Sequence, residues 1–177
     1  MKKALVLSAF LTALFTLSAL AQVQRPGSTL VKFDGGIGVI PVASGVGSGP
    51  TATTVNLNIV RGVQPPGEPW VISALKATVK TDGTIRVAGR GLLLAGGNEI
   101  GFTANLSVFA TLICESTAPF TQNSTNTAGV ALDPDGDFQI DDMLSPSPPA
   151  DCVSPVLLIR FTGGNQPWFA AGIPRQD

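Results

Sequence analysis

The sequence predicts a single all-β domain: an antiparallel β-sandwich of the Greek-key or jelly-roll kind, with a β-barrel as the alternative. Short β-prone runs alternate with clusters of Gly, Pro, Asn and Asp, at the spacing typical of such folds. After residue 21, no stretch shows the apolar stripe of an amphipathic helix. Both observations favour sheets joined by turns over any helical architecture.

Residues 1–21 have the features of a cleavable, bacterial-type secretory signal peptide. Lys2 and Lys3 precede an almost unbroken apolar run, and residues 19–21 have the small-x-small pattern of a cleavage site. We expect the mature chain to be residues 22–177, one domain that is secreted or periplasmic. Later apolar segments are shorter than the roughly 20 residues that span a bilayer, so no transmembrane segment is expected after cleavage.

The first strands are expected near the mature N-terminus. Residues 30–33 and 38–42 are predicted to pair through a turn at 34–36, because the glycines Gly35 and Gly36 tolerate positive φ. Residues 55–60 alternate apolar and polar side chains, which predicts a strand with Val55, Leu57 and Ile59 on its buried face.

The hairpin at residues 75–87 has the clearest local pattern. Two alternating runs flank Thr81-Asp82-Gly83, which predicts two half-buried strands joined by a tight turn. Residues 104–115 are mostly apolar at both odd and even positions, which predicts a central strand covered on both faces. Residues 156–161 and 168–173 are predicted to be the closing strands.

Four segments are predicted to be loops because their Gly, Pro, Ser, Thr and Asn content offers little to bury. Loops of all-β folds gather at the ends of the sheets and carry most recognition. The segments are 44–52, 61–69, 116–128 and 145–151.

Composition excludes several classes of chemistry. The chain has no His and no Tyr, which removes His-activated nucleophiles, imidazole zinc sites and His general bases. Without Lys2 and Lys3, the mature chain has 9 basic and 12 acidic residues, a net charge near −3, and no cluster of Lys or Arg, so no nucleic-acid partner is expected. Chemistry based on carboxylates, Ser-Lys pairs or a hard metal ion stays open, while the absence of His and Tyr favours a protein without catalytic activity.

Cys114 and Cys152 are the only cysteines, and an even number in an exported chain predicts a disulfide. It would close a loop of about 38 residues and stabilise the fold by about 3 to 4 kcal/mol in the chain-entropy model. Glu115 and Asp151 flank the two thiols and disfavour a reactive, low-pKa thiolate.

Asp133, Asp135 and Asp137 form the acidic run most suggestive of a site. Their alternation matches the first positions of an EF-hand calcium loop. The match then fails, because Phe138 occupies the position where that loop needs Gly and Leu144 the position where it needs Glu. The competing interpretation is a hairpin turn at 134–136, followed by a strand with Phe138 facing inward. Calcium is therefore the only cofactor that the sequence suggests.

A carbohydrate-active enzyme would need two carboxylates near each other. The only glutamates are Glu68, Glu99 and Glu115, and their spacing along the chain does not show whether any two converge. Trp70 and Trp168 follow proline-containing segments at strand entrances, and core packing is the favoured role of both.

Three segments, 33–41, 89–97 and 149–160, resemble stretches of small exported bacterial proteins that have no assigned role. The resemblance implies export and one compact unit, and it implies no catalytic residue, ligand or partner.

Three functions remain. The leading hypothesis is a non-enzymatic module of the cell envelope or extracellular space, which binds a surface polymer or another envelope protein through its Gly/Pro-rich loops. The second is a calcium-assisted lectin or carbohydrate-active enzyme centred on Asp133, Asp135 and Asp137. The third is a protease inhibitor that uses the loop at 61–69.

Overall fold

A computed structural model describes residues 27–44 and 55–175. The predicted signal peptide and most of the predicted loop 44–52 lie outside this part of the chain. The described residues form antiparallel strands, and none of them is helical. The strands are β1 (Thr29–Gly38), β2 (Val42–Ser44), β3 (Val55–Leu57), β4 (Trp70–Val71), β5 (Ala74–Lys80), β6 (Thr84–Arg90), β7 (Leu93–Leu94), β8 (Ser107–Ile113), β9 (Asn123–Ser124), β10 (Val130–Ala131), β11 (Phe138–Met143), β12 (Val156–Phe161) and β13 (Trp168–Pro174).

Nine strands form one nearly closed, barrel-like sheet in the order β10-β8-β12-β13-β1-β5-β6-β11, with β9 paired to β8. The gap between the two ends is bridged where the backbones of Ser124 and Ser145 exchange two hydrogen bonds of 3.0 and 2.8 Å. The Asp142 carboxylate also accepts a bond of 2.8 Å from the Asn126 amide. The predicted all-β antiparallel fold class is confirmed. Within the described residues, no helix has the length and apolarity needed to cross a membrane.

Two short ribbons accompany the main sheet, one formed by β2 and β3 and the other by β4 and β7. The second ribbon crosses the end of β1, where the Trp70 amide donates to the Val39 carbonyl over 3.0 Å. Gly38 permits this crossing, because a Cβ at that position would collide with the backbone of Trp70 and Val71. The ribbon thereby covers part of the sheet and carries Trp70 into the core.

The core follows the predicted alternation in β5, β6 and β11. Leu75, Val79 and Ile85 are fully buried, and outward side chains between them are charged or small. The predicted hairpin at 75–87 is confirmed, with its turn at 81–83. β8 is buried on both faces, as its apolar residues at odd and even positions predict. Its residues Val108 to Ile113 pair with β12.

The predicted hairpin between 30–33 and 38–42 is wrong. Residues 29–38 form one continuous strand whose partners are β5 on one side and β13 on the other. Gly35, with φ of 100°, lies at a bulge where the register with β13 shifts, and it does not turn the chain. A glycine at positive φ serves a turn and a bulge equally well, so the local pattern does not distinguish them.

The predicted strand 55–60 is shorter than expected. It ends at Leu57, and the side chains of Leu57 and Ile59 are about half exposed instead of facing the core. The physical reason is that β3 pairs only with β2 in a separate ribbon, where the side-chain alternation is not set against the barrel interior.

Candidate functional site

A cleft of about 610 Å³ opens between the connection that precedes β4 and the turn between β12 and β13. One wall is the Pro-rich segment 64–68, and another is the glycine-containing segment 163–167. Most of the lining is apolar. It comprises Leu57, Gln64, Pro65, Pro66, Gly67, Glu68, Trp70, Leu94, Glu99, Ala104, Leu106, Phe161, Gly163, Gly164, Asn165, Pro167 and Phe169.

Three aromatic rings stack in parallel at the cleft. The Phe169 ring lies between the other two, with its centroid 4.1 Å from that of Trp70 and 5.8 Å from that of Phe161, both at interplanar angles of 9°. Trp70 and Phe169 are buried, while Phe161 is partly exposed. The stack forms a rigid apolar wall, since each ring limits the rotation of its neighbour.

The Pro-rich wall is attached to the sheet through its backbone. The Gln64 carbonyl accepts a bond of 3.0 Å from the Trp168 amide, and Pro65 is buried. At the start of the segment, the Arg61 guanidinium donates to the Ser154 hydroxyl over 2.8 Å and lies 5.5 Å from the centroid of the Phe120 ring. The predicted loop 61–69 is thus packed against the body of the protein, with Gly67 and Glu68 as its exposed tip.

Two of the three glutamates of the chain line this cleft. Glu68 comes from the Pro-rich wall and Glu99 from the turn after β7. Gly97 in that turn lies so close to Glu68 that a Cβ there would be 2.6 Å from the carboxylate. Among the described residues that line the cleft, none is a lysine or an arginine. The cleft is therefore apolar with an acidic margin.

The turn that carries Glu99 is closed by backbone bonds. Leu94 and Phe102 are linked by a bond of 3.0 Å, and the Gly101 amide donates to the Leu94 carbonyl over 2.9 Å. The Ala95 amide also donates to the Pro69 carbonyl over 2.8 Å, which ties this turn to the Pro-rich wall. This backbone pairing sets the turn that carries Glu99 beside the wall that carries Glu68.

No family model, no curated protein and no solved structure matches the chain.

The predicted calcium residues lie in the turn that leads into β11. The Asp137 carboxylate accepts a bond of 3.0 Å from the Gly91 amide, and the Asp135 carboxylate accepts one of 3.3 Å from the Asp137 amide. The backbone of Asp133 bonds with Gly136 and Asp137, as in a tight turn. Across residues 27–44 and 55–175, no three His, Cys, Asp or Glu side chains are grouped as metal ligands. Calcium binding at Asp133, Asp135 and Asp137 stays a prediction.

The predicted disulfide is present between Cys114 and Cys152, with the Cα atoms 4.7 Å apart. It joins the end of β8 to the approach of β12, next to a bond of 3.1 Å from the Ser154 amide to the Cys114 carbonyl. Trp70 and Trp168 are both buried, in agreement with their predicted core role. Trp70 also lines the cleft.

The sequence did not indicate that Phe161 and Phe169 belong to a site, nor that Glu68 and Glu99 line the same cleft. The available signal was the string Pro65-Pro66-Gly67-Glu68-Pro69-Trp70, a stiff connection that ends on a large aromatic residue. That string indicates a positioned loop, and only the pairing of β4 with β7 shows what it faces.

Proposed function

We propose that this protein is a non-enzymatic binding module of the cell envelope or extracellular space, and that its cleft holds an apolar, positively charged segment of another envelope protein. The observation that carries the proposal is the lining of the cleft: a wall of stacked aromatic rings with Glu68 and Glu99 at the margin and no lysine or arginine among its described residues. An apolar pocket with a few convergent polar groups is the usual form of a ligand site.

The chemistry of the cleft selects the ligand class. Apolar side chains gain free energy by leaving water against Trp70, Phe161 and Phe169. Two carboxylates at the margin favour Lys or Arg on the ligand and disfavour acidic residues. The disulfide supports an oxidising compartment, which agrees with the predicted export of the chain.

The test uses synthetic peptides with fluorescence anisotropy as the readout. Three 12-residue probes are compared: one that alternates Leu and Lys, one that alternates Leu and Glu, and one that alternates Ser and Lys. We expect the Leu/Lys peptide to bind at least tenfold more tightly than either of the others. Equal binding of the Leu/Lys and Leu/Glu peptides would contradict the proposal.

Two variants locate the binding. Gly67 lines the cleft, and a Cβ there would meet no atom within 4 Å, so Gly67→Trp is expected to obstruct the cleft and to abolish binding. The double change Glu68→Gln and Glu99→Gln should weaken binding of the Leu/Lys peptide about tenfold, since each exposed charge pair contributes up to about 1 kcal/mol. The matched control, Glu115→Gln with Asp151→Asn, removes the same charge from residues that do not line the cleft and should leave binding unchanged.

A carbohydrate-active enzyme is the second candidate, because Glu68 and Glu99 share one cleft with aromatic rings. It predicts release of reducing sugar from at least one glycan in a broad screen. It further predicts that Glu68→Gln and Glu99→Gln each abolish that activity, while Glu115→Gln does not. Turnover without peptide binding would replace the first proposal by this one.

A further inference from the structure

A side cavity of about 350 Å³ adjoins the cleft at the turn that follows β7. Glu99 and Ala104 line both spaces, so the cleft and the side cavity meet at these two residues. The side cavity is lined by Glu99, Phe102, Thr103, Ala104, Asn105 and Pro134. A ligand that occupies the cleft can therefore continue across Glu99 into this second space.

Phe102 gives the side cavity an aromatic surface that is open to solvent. Its side chain is 65% exposed, whereas Trp70 and Phe169 of the cleft are buried. Backbone bonds fix its position: the Phe102 amide donates to the Glu99 carbonyl over 3.1 Å, and the Phe102 carbonyl accepts from the Leu94 amide over 3.0 Å. Large aromatic rings stabilise proteins mainly when they are covered, so an exposed ring on a fixed turn is available to a ligand.

The backbone next to Phe102 has an unusual conformation that is held by local bonds. Ala104 and Asn105 have φ of 51° and 53°, in the left-handed region. The Thr103 carbonyl accepts from the Leu106 amide over 3.2 Å, and the Thr103 hydroxyl accepts from the Asn105 amide over 3.4 Å. The side chain of Asn105 is exposed at this turn and has no hydrogen bond to other described residues. Its amide oxygen is therefore free to accept a bond from a ligand.

The charges around the side cavity are negative. Glu99 is exposed, and its carboxylate has no hydrogen bond or ion pair within the described part of the chain. Pro134, on the other wall, lies between the exposed residues Asp133 and Asp135. Among the described residues that line the side cavity, none is a lysine or an arginine. A cation is therefore the charge that this cavity favours.

We propose that the side cavity binds an arginine side chain of the ligand, with its guanidinium stacked on the Phe102 ring and paired with the Glu99 carboxylate. The inference rests on the proposed function of the cleft, because it assigns a further residue of the same peptide. A guanidinium is planar, so it can cover an aromatic face while its N–H groups reach acceptors at the side. The ammonium group of lysine is a compact point charge without a flat face. The Asn105 oxygen provides a second acceptor.

Two arginines of this protein already make the same kind of contact. The Arg61 guanidinium lies 5.5 Å from the centroid of the Phe120 ring, and that of Arg160 lies 5.1 Å from the centroid of Phe109. In each case the guanidinium also donates to a neighbouring side-chain oxygen. Phe102 offers an equivalent ring that the described chain leaves uncovered.

The experiment compares the Leu/Lys peptide with a peptide of the same length that alternates Leu and Arg. Fluorescence anisotropy should show that the Leu/Arg peptide binds about threefold more tightly, as expected for a cation–π contact at an exposed site. Phe102→Leu removes the ring but keeps an apolar side chain, so it should abolish this preference and leave binding of the Leu/Lys peptide nearly unchanged. The control Ile100→Ala shortens an exposed residue of the same turn that lines neither cavity, and it should retain the preference.

A small probe tests the side cavity independently of the cleft. Nα-acetyl-arginine amide and Nα-acetyl-lysine amide carry the same charge and lack the apolar residues that the cleft requires. At millimolar concentrations, the arginine probe should shift the backbone amide NMR signals of Glu99, Phe102 and Asn105 more than the lysine probe. The shifts should persist in Gly67→Trp and disappear in Phe102→Leu.

The outcomes distinguish the two proposals. Equal affinity of the two peptides for the wild type would overturn the side-cavity proposal and leave that of the cleft intact. So would an arginine preference that Phe102→Leu retains with an unchanged melting temperature. If neither peptide binds, the proposed function of the cleft fails, and the arginine probe decides the other question: the absence of shifts at Phe102 and Asn105 would overturn the side-cavity proposal as well.

Discussion

The guanidinium of Arg160 lies over the ring of Phe109, 5.1 Å from the ring centroid, on adjacent strands β12 and β8. Arg160 is 6% exposed, and burial lowers the pKa of its guanidinium. Its Nε donates to the Gln166 carbonyl over 2.9 Å, and its Nη1 donates to the Gln122 side chain over 2.7 Å. The bond to Gln166 connects the sheet to the segment 163–167, which is one wall of the cleft. A buried cation with neutral partners thus holds a wall of the proposed binding site.

Replacement of Arg160 should destabilise the protein. Arg160→Ala removes the contact with Phe109 and leaves the Gln166 carbonyl without this donor, so we expect a loss of about 2 to 3 kcal/mol in the free energy of unfolding. Arg160→Met, which retains most of the packing, should cost less. Urea denaturation followed by tryptophan fluorescence measures both. The exposed Arg90 provides the control, and an Arg160→Ala loss no larger than that of Arg90→Ala would contradict the assignment.

Removal of the disulfide should weaken the β8–β12 end of the sheet. The bridge closes a loop with a sequence separation of 38, so Cys114→Ala with Cys152→Ala is expected to lower the free energy of unfolding by about 3 to 4 kcal/mol. Thermal melting with and without a reductant checks this. Reductant should lower the melting temperature of the wild type and leave that of the double variant unchanged. A wild type insensitive to complete reduction would exclude a stabilising role.

Stability should fall in acid partly through Asp82, in the turn between β5 and β6. Hydrogen bonds from Thr84, including one of 2.9 Å from its amide, lower the pKa of the Asp82 carboxyl below its ordinary value of 3.8. Because the folded-state pKa is the lower one, this contribution is complete above the unfolded pKa and is lost as pH falls through the folded pKa. Urea denaturation at pH 6 and pH 3 should show a smaller difference for Asp82→Asn than for wild type. An equal difference would show that Asp82 does not contribute.

Calcium provides a separate test of the acidic turn. If Asp133, Asp135 and Asp137 hold the ion, millimolar calcium should raise the melting temperature, and a chelator should lower it. The change Asp135→Asn should remove that response. A melting temperature that is the same with calcium and with chelator would exclude the site. The bonds already made by the Asp137 and Asp135 carboxylates to backbone amides provide a structural role for both residues without a metal.

Local chemistry was sufficient to predict several elements. The hairpin at 75–87 carries alternation, a turn and β-prone residues in one short segment, so no distant contact is needed to define it. The apolar residues at both odd and even positions of β8 predicted its central position, because a strand covered on both faces carries apolar residues at most positions. Cys114 and Cys152 had only each other as partners.

Other elements depend on partners that are distant in sequence. β1 is one strand because β5 and β13 pair along its two edges, and a bulge at Gly35 absorbs the glycines that locally resemble a turn. Leu57 is exposed because β3 joins a separate ribbon. In both cases the local pattern was compatible with two arrangements, and tertiary pairing selected one.

The grouping of charged side chains shows the same division. After residue 21 no cluster of Lys or Arg occurs along the sequence, yet cross-strand register places Lys32 and Arg86 on either side of Thr78. Glu68 and Glu99 are far apart in sequence and share one cleft.

By itself, the sequence determined the all-β class, the strand-rich segments and the cysteine pair, since these follow from residue type and local periodicity. The tertiary structure decided the sheet order, the closure at Ser124 and Ser145, and the grouping of the two glutamates at the cleft. The reason is that a strand exposes the same backbone donors and acceptors to any partner. Its neighbours, and therefore the side chains that meet across them, are chosen by the packing of the whole core.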